Sequence, residues 1–447
     1  MDLTQSVSLV PARTRHLAYR LIVPGTVLLP YLALAALWHW GPSSLYFAAL
    51  RQFAFEPFRF PFLDIDAVLA AAQCNRAGID VYMWNPCDVL GRPHVYSPLW
   101  LKIIPGFLDT GARTAVGLGL GVLFVASIAA TCRPKSRGEM LFMALTALSP
   151  MTVYALERAN NDLVVFMLIL AGCAFLRASG PSRFAAYALY LIAGLLKYYP
   201  LALLIMLARE RQRDAILAAT VVTSLLLGLI VGDHAELAKA LSNIPSPSYY
   251  GGSFAAVNLP FGLATALAVP PPRFFAVALL AVLGGLALAR TRRLAQVLHA
   301  ARPDCNSFEK ECLIAGAILL IACFLAARNV DYRGIYFAMV MPGLIQLRRI
   351  CRQPEVQHFF SRMIAAVLFV GWEEPLRHAV QMAAASIPGE GLRVRIEILF
   401  WLSRELVWWW LIAGLAAIVC CYLRSLPVAG AIISALPKYR RAPRLAR

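Results

Sequence analysis

The sequence predicts an all-α, polytopic integral membrane protein with about twelve transmembrane or re-entrant helices. Hydrophobic residues make up 60% of the 447 residues and charged residues only 15%, whereas a soluble domain has roughly 25% charged residues. Apolar runs of roughly 17 to 25 residues recur along the chain, and runs of this length can cross a hydrocarbon core. Because backbone in lipid must satisfy its own hydrogen bonds, these runs are predicted to be helices.

Twelve apolar segments carry this prediction. The first is too long for the apolar region of a signal peptide and is interpreted as a helix. The short pair 184–196 and 199–208 is predicted to form two short or re-entrant helices, and 257–269, which Pro260 interrupts, a re-entrant or interfacial segment. The twelve segments are 21–41, 110–131, 139–156, 163–177, 184–196, 199–208, 214–232, 273–289, 312–327, 334–348, 361–373 and 400–423.

Basic residues predict the orientation of the chain. With the N-terminus placed in the cytoplasm, most of the 42 Lys and Arg residues fall in cytoplasmic links and tails, as the positive-inside rule expects. The net charge of +18 is therefore explained by topology, without nucleic acid as a partner. We expect a bacterial inner (plasma) membrane protein surrounded by membrane lipids, with cytoplasmic tails at 1–20 and 424–447.

Five polar stretches fall on the extracytoplasmic side in this orientation, whereas the cytoplasmic links are basic and otherwise plain. They are the long first loop at 42–105, which contains a predicted helix, the link 157–162, the turn 197–200, the stretch 248–258 and the link 328–333. Ionisable groups at membrane depth are costly and usually functional. We therefore predict a functional site at the outer surface.

The first outer loop carries two acidic candidates, Asp64 and Asp66, ahead of a short amphipathic helix predicted at 67–77. Acidic side chains suit the positive N-terminal end of a helix, so capping alone would explain either residue. The two also fit an Asp-x-Asp metal motif or a catalytic role. Cys74 and Cys87 share this loop, and an oxidising compartment would permit a disulfide between them.

The link between the third and fourth segments is unusually polar. Its candidates for substrate binding are Glu157, Arg158, Asn160, Asn161 and Asp162. A solvated turn is the simpler explanation, because short hairpin links are often polar. The alternative is one wall of the predicted site.

Two further links supply basic candidates. Lys197 lies in an apolar pair of helices, where it either extends its amine to the membrane interface or pairs with an anion such as a phosphate. Arg328 and Arg333 have the fork geometry that binds phosphate through two hydrogen bonds. Asp331 lies between them, and a simple ion pair with either arginine is the alternative to a binding role.

The order of these features resembles the GT-C membrane glycosyltransferases. An acidic first loop is followed by Tyr-x-Pro-Leu, then by a polar Asn-Asp link, then by Leu-Lys-x-x-Pro. The resemblance is greatest to glycosyltransferase family 87, the polyprenyl-phosphate-mannose-dependent α-mannosyltransferase type, over roughly residues 20–350. This chain has Glu-Arg-Ala-Asn-Asn-Asp where the family often has Gly-Gln-x-Asn. The residues that carry the resemblance are Tyr96, Ser97, Pro98, Leu99, Leu196, Lys197 and Pro200.

The resemblance implies a hexosyltransferase with a catalytic module at 21–350 and further helices at 351–423. Such an enzyme transfers a hexose or pentose, here mannose, from a polyprenyl-phosphate sugar to a glycolipid or glycan on the extracytoplasmic face, with inversion. An acid of the first loop acts as general base. Asp64 is favoured over Asp66, because the family's acid lies just ahead of the loop helix.

The resemblance also implies roles for the other candidate residues. Lys197 and Arg333 would stabilise the charge on the leaving phosphate. No cofactor is expected to be required, and a divalent cation has no support beyond the short Asp-x-Asp pattern. The alternatives are a transporter or flippase of lipid-linked saccharides and an O-antigen polymerase or ligase. The sugar pocket would contain Arg158, Asn161 and Asp162, and the acceptor mouth Tyr249, Tyr250 and Ser253.

Overall fold

The described part of the chain is mainly helical, with one two-stranded sheet of four residues, which confirms the all-α prediction. The predicted tails at 1–20 and 424–447 lie largely outside the described residues. The computed structural model describes residues 12–53, 58–178, 180–268, 272–301 and 307–426.

Nine helices form the first half of the described chain, and each predicted segment up to residue 196 falls on one or two of them. They are α1 (Ala12–Trp40), α2 (Ser43–Arg51), α3 (Leu63–Arg76), α4 (Pro98–Ile103), α5 (Arg113–Thr131), α6 (Arg137–Ala147), α7 (Pro150–Glu157), α8 (Asp162–Phe175) and α9 (Phe184–Lys197).

Nine more helices form the second half. They are α10 (Gln212–Gly232), α11 (His234–Ser242), α12 (Asn258–Ala266), α13 (Pro272–Ala301), α14 (Phe308–Ala326), α15 (Phe337–Ile350), α16 (Pro354–Gly371), α17 (Glu373–Ala385) and α18 (Glu390–Arg424).

Short 3₁₀ helices and one small sheet complete the described structure. The 3₁₀ helices are Thr110–Ala112, Gly180–Arg183, Tyr199–Arg209 and Asp331–Tyr336. The sheet pairs β1 (Ser253–Phe254) with β2 (Asn329–Val330) in antiparallel register.

Five described helices are long and apolar enough to cross a membrane by length and composition: α1, α5, α10, α13 and α18. The pair α6 and α7, bent by 44°, raises the count to six if it forms one broken span. These helices indicate a membrane protein. The finer count of about twelve transmembrane or re-entrant helices stays a prediction.

The centre of the molecule lies at α14 and α15. Most residues of both helices are buried, and α18 contacts α13, α14 and α16. In contrast, α10 has no buried residue and exposes large apolar side chains such as Ile216, Leu217 and Val221. Such an apolar surface is expected where a helix faces lipid.

The two ends of the helical bundle differ in chemistry. At one end, links predicted to be cytoplasmic contact each other through ion pairs. At the other end, the five polar stretches predicted to share a face converge. The ion pairs of the first end are Arg133–Glu309, Arg183–Glu210, Arg209–Glu311 and Arg349–Glu139.

The loop helix begins four residues earlier than predicted. Helix α3 starts at Leu63, so Asp64 and Asp66 lie in its first turn and not ahead of it. The first amide groups of a helix lack partners within the helix. Here a neighbouring segment supplies one of these missing partners: the amide of Asp64 donates to the carbonyl of Arg158 at 3.0 Å. A disulfide joins Cys74 near the end of α3 to Cys87.

Close packing against α5 fixes the start of the same helix. The ring of Phe62 lies against Gly117 of α5, where a Cβ atom would approach the ring to 2.5 Å. The amide of Phe62 donates to the carbonyl of Glu157 at 2.7 Å. The first turn of α3 is thus held between α5 and the end of α7.

Candidate active site

Asp64 is the acidic centre of the converging polar stretches. Its carboxylate is nearly buried and accepts two hydrogen bonds from Arg158, Nη2 to Oδ1 at 2.5 Å and Nε to Oδ2 at 2.9 Å. The amide Nδ2 of Asn160 donates to Oδ2 at 2.5 Å. A carboxylate has about four lone-pair positions. Three of these positions are used, so one lone-pair position, on Oδ1, remains for a further donor such as a substrate hydroxyl.

A second network adjoins the first through Asn160. The Oδ1 atom of Asn160 accepts a hydrogen bond from Lys197 Nζ at 2.9 Å. Lys197 also lies 2.9 Å from Asp162 Oδ2, and Arg333 Nε lies 3.6 Å from the same oxygen. Tyr199 donates its hydroxyl to Asp162 at 2.6 Å. Asp162 thus forms ion pairs with both the lysine and the arginine, while Arg333 donates a hydrogen bond to Asn329.

A cavity of about 640 Å³ opens in front of both networks. Its wall combines charged groups with tyrosine rings and, toward one side, apolar residues such as Leu241, Ile244 and Pro245. Ligand sites typically show this combination of concavity, apolar surface and a few convergent polar groups. The charged lining residues are Asp64, Arg92, Arg158, Lys197, Arg328 and Arg333.

The cavity carries an excess of positive charge. Arg92 is paired with Asp88 at 2.7 Å. Together with Asp64 and Asp162, this gives three carboxylates, which pair with four of the five lining cations and leave two excess positive charges. Arg328 donates to the carbonyl of Pro247 at 2.7 Å and, among the described residues, forms no salt bridge. This charge suits an anion such as a phosphate.

The electrostatic environment separates the two acidic candidates. Burial would raise the pKa of Asp64, but the charge and hydrogen bonds of Arg158, the hydrogen bond from Asn160 and the charge of Lys197 together hold that pKa below its usual value. Burial raises the pKa of Asp66, whose partner is Arg113 at 3.2 Å. Asp66 does not line the cavity. Asp64 is therefore the ionised carboxylate that a substrate in the cavity would meet.

Asp64 and Asp66 do not form one metal site. Residues two apart on a helix do not face each other, and the two carboxylates accordingly pair with different arginines on different elements. Another group of acids, Asp331, Glu373 and Glu374, has a geometry that could hold a metal ion.

Several predicted site residues lie outside the cavity wall. Glu157 accepts a hydrogen bond from Tyr46 at 3.1 Å and faces a separate, mainly apolar pocket. Asn161 is fully buried, and neither polar atom of its side chain has a hydrogen-bond partner among the described residues. Asn160 and Asp162 lie behind the wall, where Asn160 contacts Asp64 and Lys197 and Asp162 contacts Lys197.

The predicted acceptor residues pack between the cavity and α18. The ring of Tyr249 lies under Arg328, whose guanidinium carbon is 4.4 Å from the ring centroid. Tyr250 donates to the carbonyl of Gly262 at 2.9 Å. Ser253 is buried in β1, where its hydroxyl donates to the carbonyl of Ser248 at 2.5 Å. None of the three lines the cavity.

The cavity also contains residues that the sequence did not indicate. Arg92 and His94 reach it from the loop after α3, and burial lowers the pKa of His94 to about 4, so this imidazole is neutral at pH 7. Lys197 lies 5.5 Å from the ring of Tyr96 and 5.4 Å from that of Tyr332. Of these, only Tyr96 had a signal, as part of the Tyr-x-Pro-Leu motif. A single sequence gives none for Arg92, His94 and Tyr332, because isolated Arg, His and Tyr residues are common in loops.

Unusual backbone conformations accompany these side chains. Among the described residues, four that are not glycine have a positive φ, and three of them adjoin the site: Phe62 (65°), Ala159 (44°) and Tyr198 (34°). Such conformations are uncommon outside glycine. They cluster at functional sites, where the surrounding structure maintains them.

Comparisons with known proteins do not indicate a function for this chain. No family model, no curated protein and no solved structure matches this chain.

Proposed function

We propose that this protein is a membrane glycosyltransferase of the GT-C type, similar to glycosyltransferase family 87. It transfers a sugar, mannose by the resemblance, from a polyprenyl-phosphate donor to a glycolipid or glycan acceptor. The observation that carries the proposal is the ionised Asp64 at the wall of a cavity with two excess positive charges. A base and a phosphate-binding surface are the two elements that this reaction needs.

The reaction assigns a role to each network. The acceptor hydroxyl donates to the remaining position on Asp64, and its oxygen forms a bond to the anomeric carbon from the face opposite the phosphate. The bond between the anomeric carbon and the phosphate oxygen breaks, and the phosphate leaves with the electron pair. Asp64 takes the hydroxyl proton, and the configuration at the anomeric carbon is inverted.

The charge of the cavity matches this change. The phosphodiester of the donor carries one negative charge, and the released lipid phosphate approaches two. Cations already in place therefore stabilise the transition state more than the bound donor, which is the condition for acceleration. Lys197 and Arg333 both pair with Asp162. Arg328 adds a cation without a carboxylate partner in the described part of the chain.

The surroundings of the cavity fit a lipid substrate at the outer face of a membrane. The apolar wall formed by Leu241, Ile244 and Pro245 suits the first isoprene units of the donor. The disulfide between Cys74 and Cys87 suits an oxidising, extracytoplasmic compartment. We therefore propose the predicted orientation in a bacterial inner membrane, with about twelve transmembrane or re-entrant helices.

The test is a transfer assay with purified full-length protein in lipid vesicles. Radiolabelled polyprenyl-phosphate mannose and extracted membrane glycolipids serve as substrates, and released polyprenyl phosphate is measured. We expect turnover by the wild type, a loss of about 10²–10⁴-fold in Asp64→Asn, and less than tenfold in Asp66→Asn, the matched acid outside the cavity.

Two results together would overturn the proposal. The first is no turnover with a panel of polyprenyl-phosphate sugars. The second is movement of a lipid-linked saccharide across the bilayer by both the wild type and Asp64→Asn. These results would support the transporter or flippase. Turnover only with a lipid-diphosphate saccharide would support the polymerase or ligase.

A further inference from the structure

A second cavity, of about 380 Å³, lies beside the first and shares Phe58 and Tyr154 as wall residues. Three carboxylates line it: Asp331, Glu373 and Glu374. Each is at most 9% exposed, and one oxygen from each lies within 4.8 Å of the others. Carboxylates this close repel each other strongly when they are ionised away from water.

The two glutamates have partners, but the aspartate does not. Glu373 Oε1 lies 2.7 Å from Arg404 Nη2. Glu374 accepts from Arg377 Nε at 2.9 Å and from the amide of Gly252 at 2.8 Å.

Neither oxygen of Asp331 has a hydrogen-bond partner among the described residues, although the side chain is 96% buried. Its nearest cationic atom is Arg404 Nη2 at 3.9 Å, which is beyond hydrogen-bond distance.

The local charge does not balance. Glu405 also pairs with Arg404, at 2.9 Å, so four carboxylates face two guanidinium groups and leave two negative charges. A buried charge that has no partner is costly. The start of α17 is favourable for Glu373 and Glu374 because a helix N-terminus is positive. It does not explain Asp331, which comes from another element. Two protons or one divalent cation would balance the site.

We propose that Asp331, Glu373 and Glu374 bind one divalent cation of the hard class, Mg²⁺, Mn²⁺ or Ca²⁺. The ligand set contains only carboxylate oxygens, which these ions prefer. The cavity leaves room for the water molecules that complete the shell. The unpartnered oxygens of Asp331 supply ligand atoms that no protein group uses.

The cation has a structural consequence for the first cavity. Asp331 begins the 3₁₀ helix that also contains Arg333, and Arg328 lies three residues before it. A cation that holds Asp331 fixes the segment from which both arginines reach the first cavity. The inference concerns binding alone and does not depend on the proposed transferase activity.

The experiment measures binding of Mn²⁺ to the purified full chain. The protein is treated with chelator, the chelator is removed, and free Mn²⁺ is followed by its electron paramagnetic resonance signal. We expect one Mn²⁺ per chain, at least a tenfold loss of affinity in Asp331→Asn and in Glu374→Gln, and competition by Mg²⁺ or Ca²⁺. Asp80→Asn serves as the control, because Asp80 is an exposed acid paired with Lys239 and should leave binding unchanged.

A second measurement keeps the test independent of how well the variants fold. Mn²⁺ should raise the unfolding midpoint of the chelator-treated wild type. In chelator, Asp331→Asn should unfold at a higher midpoint than the wild type, because one repelling charge is gone, and it should not respond to Mn²⁺. A wild type that binds no Mn²⁺ at millimolar concentration would overturn the proposal in favour of shared protons. Variants that bind as tightly as the wild type would also overturn it.

Discussion

Replacing Asp64 by Asn has two separable effects, one on folding and one on catalysis. The side chains of Asp64 and Arg158 are only 6% and 11% exposed, and their nearest atoms lie 2.5 Å apart. Removal of one partner from a buried ion pair costs about 3–5 kcal/mol, because the other charge stays buried without compensation. Loss of a general base costs about 10²–10⁴ in kcat, or about 3–5 kcal/mol in activation free energy at 1.36 kcal/mol per decade.

The double variant Asp64→Asn/Arg158→Gln separates these effects. Both side chains are then uncharged, so most of the lost stability should return. The base is still absent, so kcat should stay about 10²–10⁴-fold below the wild type. The assays are the thermal unfolding midpoint in one detergent and the release of polyprenyl phosphate at saturating donor.

Three outcomes would contradict this reasoning. If turnover returns in the double variant together with the unfolding midpoint, the role of Asp64 is only to balance Arg158. If Asp64→Asn keeps more than a tenth of wild-type kcat while Asp66→Asn does not, the base is Asp66. An unchanged midpoint in Asp64→Asn would contradict the buried ion pair itself.

Three further changes have defined outcomes. Arg158→Gln removes the cation that lowers the Asp64 pKa, so the acid limb of the pH profile of kcat/KM should move to higher pH. In the wild type, the ion pair's stabilisation is complete above the unfolded-state pKa of about 3.9 and is lost only as pH falls through the lower folded-state value. Lys197→Gln should lower kcat by about 10²-fold and change the donor KM less, because the leaving phosphate gains charge in the transition state. Single-turnover kinetics would measure this. A rise in KM of the same size with unchanged kcat would contradict it. Cys74→Ser/Cys87→Ser should reduce the free energy of unfolding by about 3 kcal/mol, the value for a closed loop of this size, and reductant should mimic it in the wild type only.

Hydropathy located the apolar helices but not the shorter helices α2, α4, α11 and α17. The predicted segments fall on helices because apolar length and helix formation are coupled in a chain that must hide its backbone in lipid. The start of α3 was misplaced because it is set by partners far along the chain. The amides of Phe62 and Asp64 bind the carbonyls of Glu157 and Arg158, and no local pattern encodes such contacts.

Charge distribution also predicted which links share an end of the bundle, but not which side chains touch. The basic bias placed the stretches around Asp64, Arg158, Lys197 and Arg333 on one face, and the structure brings these four residues to one cavity. Asp331, two residues from Arg333, faces a different cavity. Residues two apart in a 3₁₀ helix point in different directions. A sequence does not reveal which partner each side chain meets.

The backbone around the site carries strain that the fold must offset. Ala159 has a positive φ between Arg158 and Asn160, and Tyr198 has a positive φ between Lys197 and Tyr199. Each such residue costs of order 1–3 kcal/mol, whereas glycine would adopt a positive φ without this penalty. In both places the turn directs the side chains on either side of it into one network. The ion pair with Asp64 and the pair between Lys197 and Asp162 are the interactions that hold these turns. The polar link after α7 is therefore explained by geometry. This short reversal between two apolar helices places Arg158 on the cavity wall, with Asn160 and Asp162 behind it. A solvated turn would need neither the strain nor the buried charges.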